Sequence, residues 1–160
     1  MEYLYGLDSM LIGSKKVGNI ADEGLDWGGD EPTTVKVWAA QKRSAPVAEF
    51  LDNPGTDEIT FDLIQLIPEN IVQVMGGSVS EDGKRWNAPA KKLLIEDSVT
   101  IVAGDNSGEI KIKKVKIIAK PKGKLGWKEA FKIHCKMTVL TPEDESSPYS
   151  MGDAEEELLG

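Results

Sequence analysis

Residues 57–77, DEITFDLIQLIPENIVQVMGG, constrain the fold more than any other stretch, because the spacing of their apolar residues changes once along the segment. In the first part Ile59, Phe61 and Leu63 occupy every second position. That period of two is expected of a β-strand with one buried face. The segment therefore predicts a strand over residues 57–65, followed directly by an element of a different kind.

The second part of this segment predicts a short helix that begins at Pro68 and ends at Gly76. Proline is favoured in the first helical turn, where its missing N–H would have no partner, and glycine accepts the left-handed conformation that often ends a helix. No Ser, Thr, Asp or Asn directly precedes Pro68 as a cap, so we expect packing to hold the helix in place. The predicted apolar face consists of Ile67, Ile71, Val72 and Met75.

The rest of the chain is typical of strands separated by turns rich in Pro, Gly and Asn. It predicts a mainly β protein, either a β-sandwich or a partly closed barrel, with one short α-helix. A length of 160 residues suits one domain with a sizeable core. The further strands are predicted at residues 8–13, 34–39, 47–51, 93–95, 99–103, 109–120 and 131–139.

The acidic residues are distributed unevenly along the chain. Seven acids and no base follow Thr141, and without them the net charge would be −1 instead of −8. This segregation predicts a single domain over residues 1–142, with a long loop at 14–34, and an acidic, disordered tail at 143–160. The first ten residues lack the basic and then apolar order of a secretory signal, and a single cysteine permits no internal disulfide. Both observations favour folding in a reducing cytoplasm.

The predicted loop at residues 14–34 is unusually long for a hairpin connection, and loops of this length are usually functional or disordered. It nevertheless carries large apolar side chains that would be costly to leave in water. Two interpretations are open: these side chains fold back onto the body of the protein, or they dock on another molecule. The residues concerned are Val17, Ile20, Leu25 and Trp27.

The last two predicted strands form a lysine-rich hairpin. Residues 110–136 contain ten lysines and one acid, and the alternation in the first of these strands slips at Lys113–Lys114, which predicts a β-bulge. An outer face of lysines resists aggregation and also attracts phosphate. Because the outward positions include no aromatic residue or arginine, a solvated or protein-facing surface is favoured over a nucleic-acid interface. The lysines are Lys111, Lys113, Lys114, Lys116, Lys132 and Lys136.

The residues that usually carry chemistry give little support to an enzyme. His134 is the only histidine and is flanked by lysines on the predicted outer face, so a solvated side chain is favoured over a catalytic base. Cys135 lies on the apolar side of the same strand, where an inert buried thiol is expected. Without a second histidine or cysteine a zinc site is not expected, and residues 104–108 lack the spacing of a calcium loop. We therefore expect no catalysis, no metal and no cofactor.

Taken in order, several of these segments resemble the major tail tube proteins of long-tailed bacteriophages and their relatives in contractile injection systems. The resemblance covers roughly residues 8–142. It rests on MLIG in the first strand, the long polar loop through Asp30, two strands broken by a Pro-Gly turn, and the closing lysine-rich hairpin. Its most specific part is EITFDLIQLIPENIVQVMGG, read as strand, short helix and double glycine.

The resemblance implies a β-sandwich subunit that forms hexameric rings, and rings that stack into a hollow tube through which DNA passes without specific binding. Such a protein works in the virion tail after synthesis in the bacterial cytoplasm. Its partners are further copies of itself and other tail proteins, with no membrane and no small-molecule substrate. Residues 14–34 would be the inter-ring loop, with Val17, Ile20, Leu25 and Trp27 as its apolar anchors.

A DNA conduit has to avoid holding phosphate, and the resemblance implies an acidic lumen. We expect the hairpin lysines to face outward or to pair with acids of a neighbouring subunit. The candidate lumen acids are Asp57, Glu58 and Asp62. Two other classes stay open: a nucleic-acid-binding β module, and a different virion component such as a head–tail connector or capsid decoration protein.

Overall fold

The structure, a computed structural model, describes residues 2–154. In chain order the strands are β1 (Ser9–Ile12), β2 (Lys15–Lys16), β3 (Asp26–Gly28), β4 (Thr33–Val37), β5 (Ala48–Asn53), β6 (Glu58–Leu63), β7 (Ser78–Val79), β8 (Trp86–Asn87), β9 (Ile95–Val102), β10 (Glu109–Lys122), β11 (Lys132–Val139) and β12 (Tyr149–Gly152). Helix α1 (Pro68–Met75) lies between β6 and β7, and a 3-10 turn (Gly104–Asn106) lies between β9 and β10.

One large antiparallel sheet organises the molecule. Its strands follow the order β2-β1-β9-β10-β11-β6-β3, and β12 also pairs with β10. Strands β4 and β5 form a separate two-stranded sheet, and β7 and β8 form another. The prediction of a mainly β protein with one short helix is confirmed, and the sheet does not close into a barrel within residues 2–154.

The core lies on one face of the large sheet. Strand β6 alternates between buried and half-buried residues along its whole length, as its sequence predicted, and β11 does the same beside it in register. Burying one large aliphatic side chain contributes roughly 1.5–3 kcal/mol, so this face supplies much of the stability. The fully buried side chains are Met10, Ile59, Leu63, Val74, Val99, Ile112, Val115, Ile117, Cys135 and Met137.

Helix α1 covers part of that apolar face. It begins at Pro68 without a side-chain cap and ends where Gly76, at φ 71°, donates its N–H to the Val72 carbonyl at 3.0 Å, as predicted. The predicted face was partly wrong, because Val74 is the fully buried residue, while Ile67 is exposed. Ile71 and Met75 do pack against the core. Within residues 2–154 no helix is long and apolar enough to cross a membrane.

Strand β10 is the longest strand and contains the predicted bulge. Its register with β9 shifts between Ile112 and Val115, across Lys113–Lys114. The shift returns the following apolar residues to the buried face, because a one-residue slip would otherwise have moved them to the opposite side.

The predicted end of the domain at residue 142 was set too early. Tyr149–Gly152, within the segment expected to be a disordered tail, is strand β12 and pairs with the first four residues of β10. Tyr149 also packs edge-on against Trp27, with ring centroids 5.2 Å apart. Residues 155–160 of the predicted tail lie outside the described residues.

Residues 14–34 are also more ordered than predicted. They contain β2 and β3, and backbone hydrogen bonds join them to β6: the Ala21 N–H donates to the Asp62 carbonyl at 2.8 Å, and the Ile64 N–H donates to the Asn19 carbonyl at 3.0 Å. The segment therefore follows the surface of the large sheet instead of projecting from it.

Candidate interaction surfaces

Strands β4 and β5 form a hairpin that projects from the body, and we call residues 33–53 the β4–β5 arm. Its base is fixed by two hydrogen bonds between neighbouring segments: the Asp30 N–H donates to the Thr56 hydroxyl at 2.9 Å, and the Thr56 N–H donates to the Asp30 carbonyl at 3.0 Å. Gly55 lies beside them at φ 81°, where a Cβ would collide with the Asp30 carbonyl. These contacts anchor the arm at its base.

One face of the β4–β5 arm is apolar and open to solvent. Val35 pairs directly with Phe50 and Val37 with Ala48, so these side chains lie on the same face. Val35, Val37 and Phe50 are between 42% and 62% exposed. The opposite face carries Lys36 and Glu49 beside the exposed Leu51, and Trp38 and Val47, next to the strand ends, are also exposed, at 58% and 50%. A soluble monomer rarely leaves such a contiguous apolar strip uncovered, which marks the arm as an interaction surface.

The side chains predicted to anchor an inter-ring loop are placed elsewhere. All four of them are half-buried and pack against the hydrophobic core, so residues 14–34 follow the first of the two interpretations left open by the sequence. The Trp27 indole N–H also donates to the Asp57 carboxylate at 3.1 Å. The four side chains are Val17, Ile20, Leu25 and Trp27.

Two of the three candidate lumen acids, Glu58 and Asp62, lie on the same surface as the lysines, whereas Asp57 accepts a hydrogen bond from Trp27 on the core side. The polar face of β6, β9, β10 and β11 alternates basic and acidic side chains, and we call this surface the paired charge face. Lys113 differs, since its ammonium donates to the Ser146 hydroxyl at 2.7 Å. The ion pairs are Lys111–Glu109, Lys114–Glu96, Lys116–Glu96, Lys132–Asp62 and Lys136–Glu58, with N–O distances of 3.2–3.9 Å.

The tightest group on the paired charge face is centred on Asp62. His134 Nδ1 lies 2.7 Å from one carboxylate oxygen, and Lys132 Nζ lies 3.4 Å from the other. Burial raises the pKa of Asp62, but the hydrogen bonds and charges of His134 and Lys132 outweigh burial and hold that pKa below its ordinary value of 3.8. His134 therefore lies on the predicted outer face, where its side chain is 38% exposed, and it also contacts the structural carboxylate of Asp62, a partner that the sequence did not indicate.

Cys135 lies on the other side of the same strand and is fully buried. Burial, together with the Asp62 charge, raises the pKa of the Cys135 thiol to about 12. The thiol contacts the Ile133 carbonyl at 3.6 Å, as a buried sulfur often does. Within residues 2–154 no group of three His, Cys, Asp or Glu side chains is placed to hold a metal ion.

A second uncovered surface lies at the tip of the β10–β11 hairpin, and we call residues 120–128, KPKGKLGWK, the basic loop. Leu125 is 88% exposed, and Trp127 is fully exposed. Lys120, Lys122 and Lys124 form no ion pair with any of the described residues, and Lys128 forms none either. The sequence signal was present, since an apolar pair inside a lysine run is unusual, but the segment was interpreted as a plain turn.

No protein-family model matches the chain, and no curated protein matches its sequence. The functional interpretation therefore depends on the geometry of these surfaces.

Proposed function

We propose that the protein is a structural subunit that self-assembles into hexameric rings, and that these rings stack as the tube of a phage tail through which DNA passes. The observation that carries the proposal is the apolar face of the β4–β5 arm, which extends away from the core. The resemblance of residues 8–142 to major tail tube proteins supplies the kind of assembly. We also propose that the subunit has the β-sandwich architecture of tail tube proteins.

The β4–β5 arm needs a partner for physical reasons. An isolated two-stranded hairpin is marginally stable in water and usually requires a third strand or a packed face. Among residues 2–154 the arm has no third strand, and its Val35 and Phe50 side chains remain exposed. A second copy that covers this face would bury apolar area and stabilise the hairpin at the same time.

The inter-ring contact that the resemblance implies is accordingly reassigned from residues 14–34 to the β4–β5 arm. The apolar side chains of residues 14–34 pack against the core, whereas those of the β4–β5 arm are exposed to solvent.

The paired charge face agrees with a conduit that releases DNA. Glu58, Asp62 and Glu96 each neutralise a neighbouring lysine, which leaves fewer free ammonium groups to exchange counterions with phosphate. This observation also disfavours a nucleic-acid-binding module that uses the same lysines. The position of Asp57, Glu58 and Asp62 along a lumen stays a prediction for the assembled tube.

Negative-stain microscopy of concentrated protein, combined with native mass measurement, tests the proposal. Stacked hollow rings with a sixfold mass are expected. Protein that stays monomeric at every concentration would contradict it. A single ring or binding to capsids alone would favour a connector or decoration protein, and monomers that bind DNA with a steep salt dependence would favour the nucleic-acid module.

A variant pair assigns the assembly to the arm. Val35→Ser with Phe50→Ser removes the apolar face, so we expect monomers with an unchanged main sheet, observed as loss of rings and a thermal stability equal to that of dilute, monomeric wild type. Lys36→Ser on the opposite face of the arm is the matched control and should assemble normally. Normal assembly by the double variant would show that the arm is not the contact.

A further inference from the structure

The tip of the β10–β11 hairpin combines two features that the proposed function does not use. The basic loop carries four lysines without ion pairs within the described residues, and it exposes Leu125 and Trp127 almost completely. Gly123 at φ 114° turns the chain there. A surface that is both cationic and apolar fits a partner that is both anionic and apolar.

The hairpin tip is also free of neighbouring strands. On one side of β10 the pairing with β9 ends at Ile117, and on the far side of β11 the pairing with β6 ends at Ile133. Beyond these residues β10 and β11 pair only with each other among the described strands, as far as Lys122 and Lys132. The basic loop therefore projects past the edge of the large sheet and is accessible to another molecule.

The same chain contains a segment with the complementary composition. Residues 153–160, DAEEELLG, combine four acids with two adjacent leucines and contain no base. The basic loop has the reverse charge and a comparable apolar pair. Charge complementarity steers association, and the leucines supply apolar area for Trp127 and Leu125 to cover.

A subunit cannot dock this segment on its own basic loop. Gly152 pairs with Glu109 at the first residue of β10, whereas the basic loop follows the last residue, Lys122. A strand of that length spans about 40 Å at its usual rise per residue. Strand β12 runs from Tyr149 to Gly152 away from the loop. A chain of eight residues spans at most about 28 Å when fully extended. The acidic segment can therefore dock on the basic loop only when the two belong to different copies of the chain.

We propose that residues 153–160 of one subunit dock on the basic loop of a second subunit, a head-to-tail contact that rests on the proposed self-association and names a further contact for it. Gly152, after which the acidic segment begins, and the basic loop lie at opposite ends of β10, so each subunit would donate its segment from one end and receive another at the other end. Such a heterologous contact propagates along a stack or around a ring. An anionic lipid surface is the competing occupant, but the net charge of −8 on the whole chain disfavours its approach.

A labelled peptide of residues 153–160 with an amidated end, titrated into dilute full-length protein, tests the docking alone by fluorescence anisotropy. We expect saturable binding that raised salt weakens. Lys122→Glu with Lys124→Glu and Lys128→Glu should weaken it by about tenfold or more, and Trp127→Ala should weaken it measurably. Lys91→Glu with Lys92→Glu, at two other exposed lysines, is the matched control and should bind normally.

A charge exchange between two variants tests the contact in the assembly. The loop variant above has an acidic loop and an acidic segment, and Glu155→Lys with Glu156→Lys and Glu157→Lys gives a basic loop and a basic segment. Each variant alone should show weakened association by sedimentation velocity, and an equimolar mixture should recover it. If the substitutions weakened association only by misfolding the loop, mixing the two variants would not restore association.

Three results would overturn the docking proposal: no peptide binding by the full-length protein, equal binding by the loop variant, or loop-dependent binding to phosphatidylglycerol vesicles without peptide binding. These results are distinct from failure of the proposed function. Protein that never forms rings contradicts the tube, whereas the peptide titration still decides whether the acidic segment binds the basic loop.

Discussion

Strands β5 and β6 are neighbours in the chain, yet they differ in what covers them. Leu63 on β6 is fully buried, whereas Leu51 on β5 is 63% exposed. Both strands carry an aromatic and an aliphatic residue suited to a sheet, Phe50 and Leu51 on β5 and Phe61 and Leu63 on β6. The difference teaches that the main sheet finds its apolar partners among residues 2–154, while the β4–β5 arm finds none among these residues for its exposed side chains. We infer that the partner of the arm comes from another subunit.

A thiol reactivity test gives the largest contrast between the two regions. A pKa of about 12 against the ordinary 9.0 leaves the Cys135 thiolate about a thousandfold scarcer near pH 8. Burial blocks the reagent further, so native protein should react with a thiol reagent only after unfolding. Phe50→Cys in a Cys135→Ser background places the thiol on the arm, where dilute protein should react at an ordinary rate. Equal reaction rates at the two positions would contradict the claim that the main sheet is buried and the arm is exposed in dilute protein.

The same substitution at two leucines measures the contrast in stability. Leu63→Ala leaves a cavity beneath β6 and should lower the free energy of unfolding by about 2–5 kcal/mol. Leu51→Ala on the arm should change it by no more than about 0.5 kcal/mol in dilute protein. Denaturant unfolding of both variants provides the values. A large loss at Leu51 in a monomer would mean that the arm is packed within its own chain.

The sequence predicted the strands β6, β10 and β11 well because they carry their own burial pattern, whereas β9 was predicted as two strands and β2, β3 and β12 were not predicted. The alternation in β6 and β11 identified the buried face, and the slip at Lys113–Lys114 located the bulge. Pro68 and Gly76 located both ends of the helix. These signals depend on residues that are close in sequence, so they can be recognised without knowing which distant segments meet in the fold.

The interaction surfaces could not be predicted in the same way, because they depend on which segments meet. Nothing in the spacing of Trp27 shows that it pairs beside Ile59 or packs on Tyr149. The alternation of Val35 and Val37 predicted a strand with one apolar face, but not that this face would remain uncovered. Lys132 and Asp62 are distant in sequence, and only the pairing of β11 with β6 brings them together.

The smallest of the expected effects is the change in folding stability with pH that Asp62 causes in the main sheet. Because its pKa in the folded protein lies below 3.8, Asp62 contributes stability above its unfolded pKa, and this contribution is lost as the pH falls through the folded pKa. Wild-type protein should therefore lose more stability in acid than Asp62→Asn does, measured by denaturant unfolding at a series of pH values. Thr138→Ala, on the same face and uncharged, should follow the wild type. An identical acid response of wild type and Asp62→Asn would contradict the role of the His134 and Lys132 contacts.

Amide hydrogen exchange at low and high protein concentration tests the central claim most directly, because it reports on both regions in one sample. The account predicts that the amides of β6, β10 and β11 are protected at every concentration. The amides of β4 and β5 should exchange quickly in dilute protein and become protected as rings form. Protection of the β4–β5 arm in the monomer, or rapid exchange of the arm within assembled rings, would contradict the account.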